Sequence, residues 1–294
     1  MTFNKPKVRP TPLAAPTYSA ISVTPVTGTI GAEISGVDLN NLTDEQRVEI
    51  RDAFSRFLVL VFRDQHDLTP ENHIKFAEQF GEVQPIVHLD HIPGHPEIQA
   101  IHRDADDKRR ITGELYHSDS TYMDTPPLAI AMRAITLPPA GGDTGFTNLQ
   151  LAYDLLSDRM KEVVEDLKVV HSARRLFGAG VDQSKFYMKA MDPEEGEKEM
   201  VHPLAVTHPV SGRKSIFVNP AYSMRIDGMT EAESAPILDF LYRHCTFIPL
   251  TMRVRWQVGT MVLWDNWGAY HSAIGDYEGF QRTLHRVTVG GFRP

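Results

Sequence analysis

Apolar positions occur along most of the chain in short stretches, which either alternate with polar residues or form brief continuous runs. Both patterns are typical of β-strands. Alternating apolar residues from Val23 to Ile34, interrupted by Gly28 and Gly31, predict two short strands joined by a turn. The apolar run Phe57–Phe62 predicts a buried strand. Further short strands are predicted later in the chain, at 204–208, 215–218, 252–256, 260–264, 269–272 and 283–289.

Helices are predicted where a capping residue precedes a longer stretch of mixed polar and apolar residues. The Thr43–Gln46 segment has a capping-box pattern and predicts a helix that runs to about Arg56. Thr69 followed by Pro70 predicts a second helix that ends at Gly81. Two further helical stretches are predicted at 148–167 and 231–245.

The remaining segments carry few signals of regular structure. Residues 1–20 contain four prolines and no periodicity, so we expect a flexible N-terminal arm there. Residues 83–115 are expected to form long loops, which often carry binding residues. The even spread of charge and the lack of repeats favour a single domain over 21–294. Many short strands with few helices favour a β-barrel or sandwich core.

Composition argues against several classes of partner and site. The chain has 294 residues and a formal net charge of −8, which argues against nucleic acid as a partner because phosphate binding needs a basic surface. The longest strongly apolar run, Phe57–Phe62, is too short to span a bilayer, and no signal-peptide pattern is evident. A lone cysteine, Cys245, excludes an internal disulfide and cysteine-based metal clusters. It suits a reducing compartment, and we expect the cytoplasm.

Two histidines and one aspartate are the candidate metal ligands. If His117 and Asp119 lie on a strand, they point to the same face, roughly 6.6 Å apart along the backbone. His271 is the best candidate for a third ligand, because it follows the turn-like Trp264–Asn266 segment. The alternative is that His271 is a structural residue of the barrel. Two histidines and one carboxylate leave open positions on a metal, which suits the oxygen chemistry of Fe(II).

Several short motifs also occur in a characteristic order and spacing along most of the chain. They are Gly31–Asp38, His117–Tyr122, Pro126-Pro127, Gly141–Thr144, His208–Gly212, Trp264–Asn266 followed by His271, and Arg282 with Arg286. Together they resemble the taurine dioxygenase family, which includes alkylsulfatases and enzymes that cleave aryloxyalkanoate herbicides. The Val170–Ala173 and Val289–Gly291 segments resemble most the members that cleave R-dichlorprop.

This resemblance implies a fold and a co-substrate. The fold is mainly β with flanking helices, arranged as a double-stranded β-helix (jelly roll). His117, Asp119 and His271 would hold Fe(II), and 2-oxoglutarate and O2 would be the co-substrates. The Arg282 guanidinium and the Thr144 hydroxyl would hold the distal carboxylate of 2-oxoglutarate. The alternative for Arg282 is an ion pair at the surface.

The resemblance also implies a small anionic organic substrate, hydroxylated and cleaved at an ether, sulfonate or sulfate ester. Arg286 should face the same side of a strand as Arg282, about 13 Å away along the chain. It would hold the anionic end of the substrate or assist the co-substrate, while His285 faces the other way. The alternative is that Arg286 pairs with a protein carboxylate and only shapes the pocket. His88 and Ser120 are also expected at the substrate site.

Two other functions stay open. A zinc hydrolase on a similar barrel would need a carboxylate base near the metal, and the sequence contains no HExxH pattern. A non-catalytic anion-binding jelly roll would be favoured by loss of a metal ligand, whereas all three candidates are present. Tyr116 and Ser118 stand where Trp and Thr are common in the family, but neither position is expected to bind metal. A homo-oligomer is expected.

Overall fold

The computed structural model describes residues 16–86, 89–111, 113–186 and 191–294. The strands in these ranges are β1 Ser22–Pro25, β2 Ala32–Ser35, β3 Val59–Phe62, β4 Asp90–Ile92, β5 His95–Arg103, β6 Ala129–Thr136, β7 Thr144–Asn148, β8 Lys168–Ser172, β9 Glu199–Pro203, β10 Ala205–Thr207, β11 Lys214–Ile216, β12 Ser223–Ile226, β13 Thr251–Val254, β14 Met261–Asp265, β15 Ala269–Ala273 and β16 Arg282–Val289. The α-helices are α1 Asp44–Phe57, α2 Pro70–Glu78, α3 Leu149–Asp154, α4 Asp158–Asp166, α5 Arg174–Phe177, α6 Pro193–Glu197 and α7 Glu231–Cys245. Short 3-10 turns occur at Gln183–Lys185 and Ile248–Leu250.

Two sheets form the centre of the fold. The larger sheet has eight strands in the order β1-β2-β3-β14-β6-β16-β5-β4, and the smaller has the order β13-β7-β15. Every pairing in them is antiparallel except that of β2 with β3. Strands far apart in sequence are neighbours, which is the crossover pattern of double-sheet β folds. The predicted mainly β architecture is confirmed.

Side-chain alternation on the central strands divides the core into two layers. On β14, Met261 and Leu263 pack with the layer that includes Phe57 of α1 and Phe76 of α2. Val262 and Trp264, the intervening residues, pack instead with Phe146 of β7, a strand of the smaller sheet. This alternation is the period-2 pattern of a strand buried on both faces. The inner layer, between the two sheets, therefore lies next to the candidate ligands.

The helices cover the sheets and begin where their caps were predicted. In α1 the Thr43 hydroxyl accepts from the Gln46 backbone N–H at 3.2 Å, and the Gln46 side chain accepts from the Thr43 N–H at 3.0 Å. Thr69 caps α2, with Pro70 at its first position. Thr230 opens α7 with a second capping box. These three helix predictions are confirmed.

The sequence prediction for 83–115 is wrong in part, because this stretch contains β4 and β5. Gln99 and Arg103 of β5 lie opposite Arg286 and Arg282 of β16. Two of the positions of β5 that face the centre of the fold are therefore polar, and the apolar alternation that signals a strand is interrupted. Strands β6 to β9 and β12 were also not predicted. The predicted 148–167 helix is two helices, α3 and α4, each with its own cap.

The structure describes only the last residues of the expected N-terminal arm. Of the expected arm, residues 1–15 lie outside the described part of the chain. Within its last residues, the Tyr18 hydroxyl donates to Asp52 of α1 at 2.6 Å, and the Ser19 and Ala20 N–H groups donate to Glu49.

Among the helices that the structure describes, none has both the length and the apolar character needed to cross a bilayer.

Candidate metal centre and co-substrate pocket

Backbone pairing brings two of the candidate ligands together. The N–H groups of His117 and His271 each donate to the carbonyl of the other residue, both at 2.9 Å. His271 lies on β15 of the smaller sheet, and His117 extends that sheet edge by this single bridge. The two ring centroids are 4.2 Å apart. The side chains are therefore adjacent because their backbones pair.

Asp119 is positioned by a turn and not by a strand, so the expected same-face strand geometry is wrong for this residue. Ser120, the next residue, has a left-handed φ of 52°. The buried Asn266 side chain holds the turn from both sides. It accepts from the Asp119 N–H at 2.7 Å and donates to the Asp119 carbonyl at 3.1 Å. A third bond from Asn266 reaches the Pro127 carbonyl at 2.9 Å.

The three candidate ligands converge on one buried point. Asp119 Oδ1 lies 3.4 Å from His117 Nε2, and Asp119 Oδ2 lies 3.7 Å from His271 Nε2. One ligand atom from each residue lies within 4.8 Å of the others, and all three residues are buried. Asp119 Oδ2 makes no hydrogen bond with the described residues. A buried carboxylate that lies beside the Nε2 atoms of two imidazoles fits a divalent cation.

Protonation in the site favours metal binding. His117 Nδ1 lies 2.7 Å from the Leu115 carbonyl, which can only accept, so this nitrogen carries the proton and Nε2 offers its lone pair. Burial, and next the neighbouring His117, lower the pKa of His271 to about 3, so its ring is neutral. Burial raises the pKa of Asp119, but the charge of the Arg286 guanidinium is the main opposing cause, and the pKa lies well below its ordinary value.

Arg286 contacts the candidate metal site directly. Its Nη2 lies 2.9 Å from Asp119 Oδ2, although neither atom makes a hydrogen bond of normal geometry. Its Nε donates to the Thr288 hydroxyl at 3.1 Å. Arg286 and Arg282 are both buried. They lie four residues apart on the same face of β16. The prediction that both arginines share one strand face is confirmed, and the contact with Asp119 matches the alternative of a protein carboxylate partner.

A glycine turn holds Arg282 at the far end of the pocket. The Gly142 carbonyl accepts from Arg282 Nε at 3.1 Å and from Nη2 at 2.9 Å. Gly142 has φ +71°, and a Cβ there would lie 3.0 Å from Arg282 Nε, so the motif needs glycine. Arg282 is buried and forms no surface ion pair with any residue that the structure describes. Thr144, just beyond the turn, accepts from Trp256 Nε1 at 3.0 Å.

One cavity joins these groups. The metal ligands, Thr144, Arg282, Arg286 and Ser120 all line it, so the structure brings together every predicted site residue that it describes. His88 lies outside the described residues. Tyr122 and Tyr222, which were not singled out, also line the cavity, with ring centroids 5.1 Å apart. Apolar lining comes from Ile86, Leu89, Ile101, Ile111, Met132 and Leu284.

Two residues of the Trp264–Asn266 motif have roles that the sequence did not reveal. Asn266 clamps Asp119, as described above. Asp265 accepts from the Trp267 and Gly268 N–H groups at 2.8 Å and lies 2.9 Å from His208 Nε2, both residues being buried. This contact links the His208–Gly212 motif to the turn that precedes His271. In the sequence, only the joint occurrence of the His208–Gly212 and Trp264–Asn266 motifs indicated that the two are linked.

Comparisons with known proteins agree with this geometry. A model of the family described as "Taurine catabolism dioxygenase TauD, TfdA family" matches residues 22–288. An alkylsulfatase from Acinetobacter baylyi is 32% identical over 277 residues, which covers 90% of this chain and 84% of the relative. An (S)-phenoxypropionate/alpha-ketoglutarate-dioxygenase from Sphingobium herbicidovorans is 32% identical over 265 residues, covering 86% and 89%. A crystal structure of a taurine dioxygenase from Burkholderia xenovorans matches with a TM-score of 0.78 at 35% identity, covering 93% and 90%.

These matches extend over nearly the whole described chain and include both sheets. They confirm the expected double-stranded β-helix with flanking helices. They also confirm the resemblance inferred from the ordered motifs, since the matched residues 22–288 contain every candidate ligand. The chain belongs to the taurine catabolism dioxygenase TauD, TfdA family.

Proposed function

We propose that the protein is an Fe(II)- and 2-oxoglutarate-dependent dioxygenase that hydroxylates a small anionic organic substrate. The observation that carries this proposal is the single cavity in which His117, Asp119 and His271 converge beside Arg282 and Arg286. The family has this activity, and the named relatives use alpha-ketoglutarate or act on an alkyl sulfate.

His117, Asp119 and His271 would hold the ferrous ion. When bound, the ion supplies O2 activation coupled to oxidative decarboxylation of 2-oxoglutarate to succinate and CO2. The protein needs no general base for this reaction, so its residues bind, orient and exclude water. The apolar side chains that line the cavity provide that exclusion.

Thr144 and Arg282 would hold the distal carboxylate of 2-oxoglutarate. Their side chains line the same cavity as the metal ligands, and Arg282 keeps its planar guanidinium fixed against the Gly142 carbonyl. A fixed guanidinium can donate two hydrogen bonds to one carboxylate. The keto-acid end of the co-substrate then points along β16 towards the metal ligands.

Arg286 would recognise the anionic end of the prime substrate. It already contacts Asp119, so it also balances the charge of that ligand. A divalent cation bound at Asp119 would neutralise that carboxylate and leave the buried Arg286 guanidinium with less negative charge nearby. A substrate anion would supply the missing negative charge. Tyr122 and Tyr222 offer aromatic faces for the organic part of the substrate, which favours an aryloxyalkanoate over a short alkyl compound.

Oxidative cleavage follows from where the hydroxyl group is placed. A carbon that gains a hydroxyl group and also bears an ether, sulfate ester or sulfonate collapses to a carbonyl compound and a leaving group. The relatives named as an alkylsulfatase and a phenoxypropionate dioxygenase act on compounds of this kind.

We further propose a cytoplasmic homo-oligomer with one catalytic domain over 21–294 and without nucleic-acid or membrane partners.

The test is a screen of Fe(II)-loaded protein with 2-oxoglutarate and a panel of aryloxyalkanoates, alkyl sulfates and alkyl sulfonates. We expect O2 uptake and succinate formation to rise with at least one anionic class. The matching neutral amides should be poor substrates because they leave Arg286 without an anion. Hydrolysis without O2 would favour a zinc hydrolase, and anion binding without turnover of any compound would favour a non-catalytic jelly roll.

A further inference from the structure

A second arginine faces the co-substrate end of the cavity from the neighbouring strand. Strands β5 and β16 are antiparallel, and Arg103 is the direct register partner of Arg282. Residues directly opposite each other in an antiparallel pair place their side chains on the same face. Ile101 and Leu284 form the next opposite pair on this inward face. The cavity is lined by both pairs, Arg103 with Arg282 and Ile101 with Leu284. Arg103 therefore stands beside the group expected to bind the distal carboxylate.

One tyrosine ring, that of Tyr277, lies near both guanidinium groups. The Arg103 guanidinium carbon lies 5.8 Å from the centroid of the Tyr277 ring, and that of Arg282 lies 5.5 Å from it. Such cation–π contacts stabilise each arginine in place. Both guanidinium groups therefore lie near the same ring at the edge of the cavity.

Two like charges directly opposite in a sheet destabilise it unless an anion lies between them. Arg103 donates to the Asp107 carbonyl at 2.9 Å, and Arg282 donates to the Gly142 carbonyl. The nearby carboxylates Asp107 and Glu278 form ion pairs with Arg109 and Lys108, and their charges also act on Arg103. Neither Arg103 nor Arg282 forms an ion pair with a carboxylate in the part of the chain that the structure describes.

We propose that Arg103 is a second binding residue for the distal carboxylate of 2-oxoglutarate, acting with Arg282 across the strand pair. This proposal rests on the proposed function of the pocket. Arg282 is buried and Arg103 is partly exposed, so Arg103 closes the outer side of the carboxylate site. The pair selects a 2-oxo acid with an anionic far end over one with an apolar end, since only the former offers a carboxylate to the two arginines.

The test compares two ligands on Mn(II)-loaded protein by calorimetric titration, which needs no turnover. One ligand is 2-oxoglutarate, and the other is 2-oxopentanoate, which has the same chain length without the distal carboxylate. Arg103→Gln should weaken 2-oxoglutarate binding roughly tenfold, the scale of a charge-assisted hydrogen bond. It should leave 2-oxopentanoate binding unchanged. Arg103→Lys should restore part of the lost affinity.

Arg159→Gln is the control for loss of an arginine outside the cavity, because it removes only an exposed ion pair with Glu162. It should bind both acids like the wild type. Equal weakening of both acids by Arg103→Gln would mean a structural role and would overturn the proposal, as would unchanged 2-oxoglutarate affinity. Wild-type protein that binds no 2-oxoglutarate would instead contradict the proposed function itself.

Discussion

Single residues build the site by holding other residues, and Asn266 is the clearest case. Its one side chain satisfies both backbone groups of the turn that carries Asp119. The sequence identified the three candidate ligands, because His117, Asp119 and His271 recur in a motif order specific to the family. It could not identify the clamp, because an asparagine in a turn-like segment most often caps the turn itself.

Asn266→Ala should weaken Mn(II) binding by roughly 10- to 100-fold, the usual effect of losing a residue that orients a metal ligand. The reason is that the Asp119 turn loses two of its hydrogen bonds. Calorimetric titration with Mn(II) measures the change. The surface variant Asn41→Ala, which loses only a bond to Asp38, should bind Mn(II) like the wild type. Full metal affinity in folded Asn266→Ala protein would refute the positioning role.

Arg282→Ala should weaken 2-oxoglutarate binding by roughly 2–5 kcal/mol, because a buried charge-assisted pair loses one partner. Thr144→Ala removes one neutral donor and should cost about 1 kcal/mol. The KM for 2-oxoglutarate at saturating prime substrate measures both effects. An unchanged KM in Arg282→Ala would show that the co-substrate binds elsewhere.

Secondary-structure elements place these residues on opposite walls of one cavity. His271 comes from β15 in the smaller sheet, whereas Arg282 and Arg286 come from β16 in the larger one. Strong capping and periodic signals made α1, α2, α7 and the late strands predictable. Strand β5 was not predictable, because Gln99 and Arg103 occupy two of its inward positions and interrupt the apolar alternation.

Helix α2 adds a pH-dependent contact to the larger sheet. The buried His73 ring bonds to the Ala131 carbonyl of β6 at 3.1 Å. Burial lowers the pKa of His73 to about 3, and the charges of Arg133 and His285 add to this effect. A folded pKa below the unfolded value means that stability is fully present above about pH 6.5 and is lost as the pH falls.

We therefore expect His73 to account for roughly 2 kcal/mol of lost unfolding free energy between pH 7 and pH 5. Urea unfolding of wild type and His73→Gln at both pH values measures this. The variant should lose less stability over that interval than the wild type. His66→Gln, at an exposed position, should keep the wild-type pH dependence. Equal pH dependence in wild type and His73→Gln would contradict the assignment.

At the scale of the whole molecule, the charge of the protein and that of its cavity are opposite in sign. The chain carries a formal net charge of −8, yet Arg103, Arg282 and Arg286 all line one pocket. The net charge predicted the absence of a nucleic-acid surface but could not reveal this local site. The convergence depends on crossovers between sheets, which short-range patterns do not encode and which became predictable only through the ordered family motifs.

The most direct test is anaerobic equilibrium binding of Fe(II) to the wild type and to His271→Ala, with His66→Ala as a control for loss of a histidine outside the cluster. Convergence of His117, Asp119 and His271 predicts one tightly bound Fe(II) per chain in the wild type and the control. It predicts loss of that binding in His271→Ala. One tightly bound Fe(II) in folded His271→Ala, or none in the wild type, would contradict the metal centre described above.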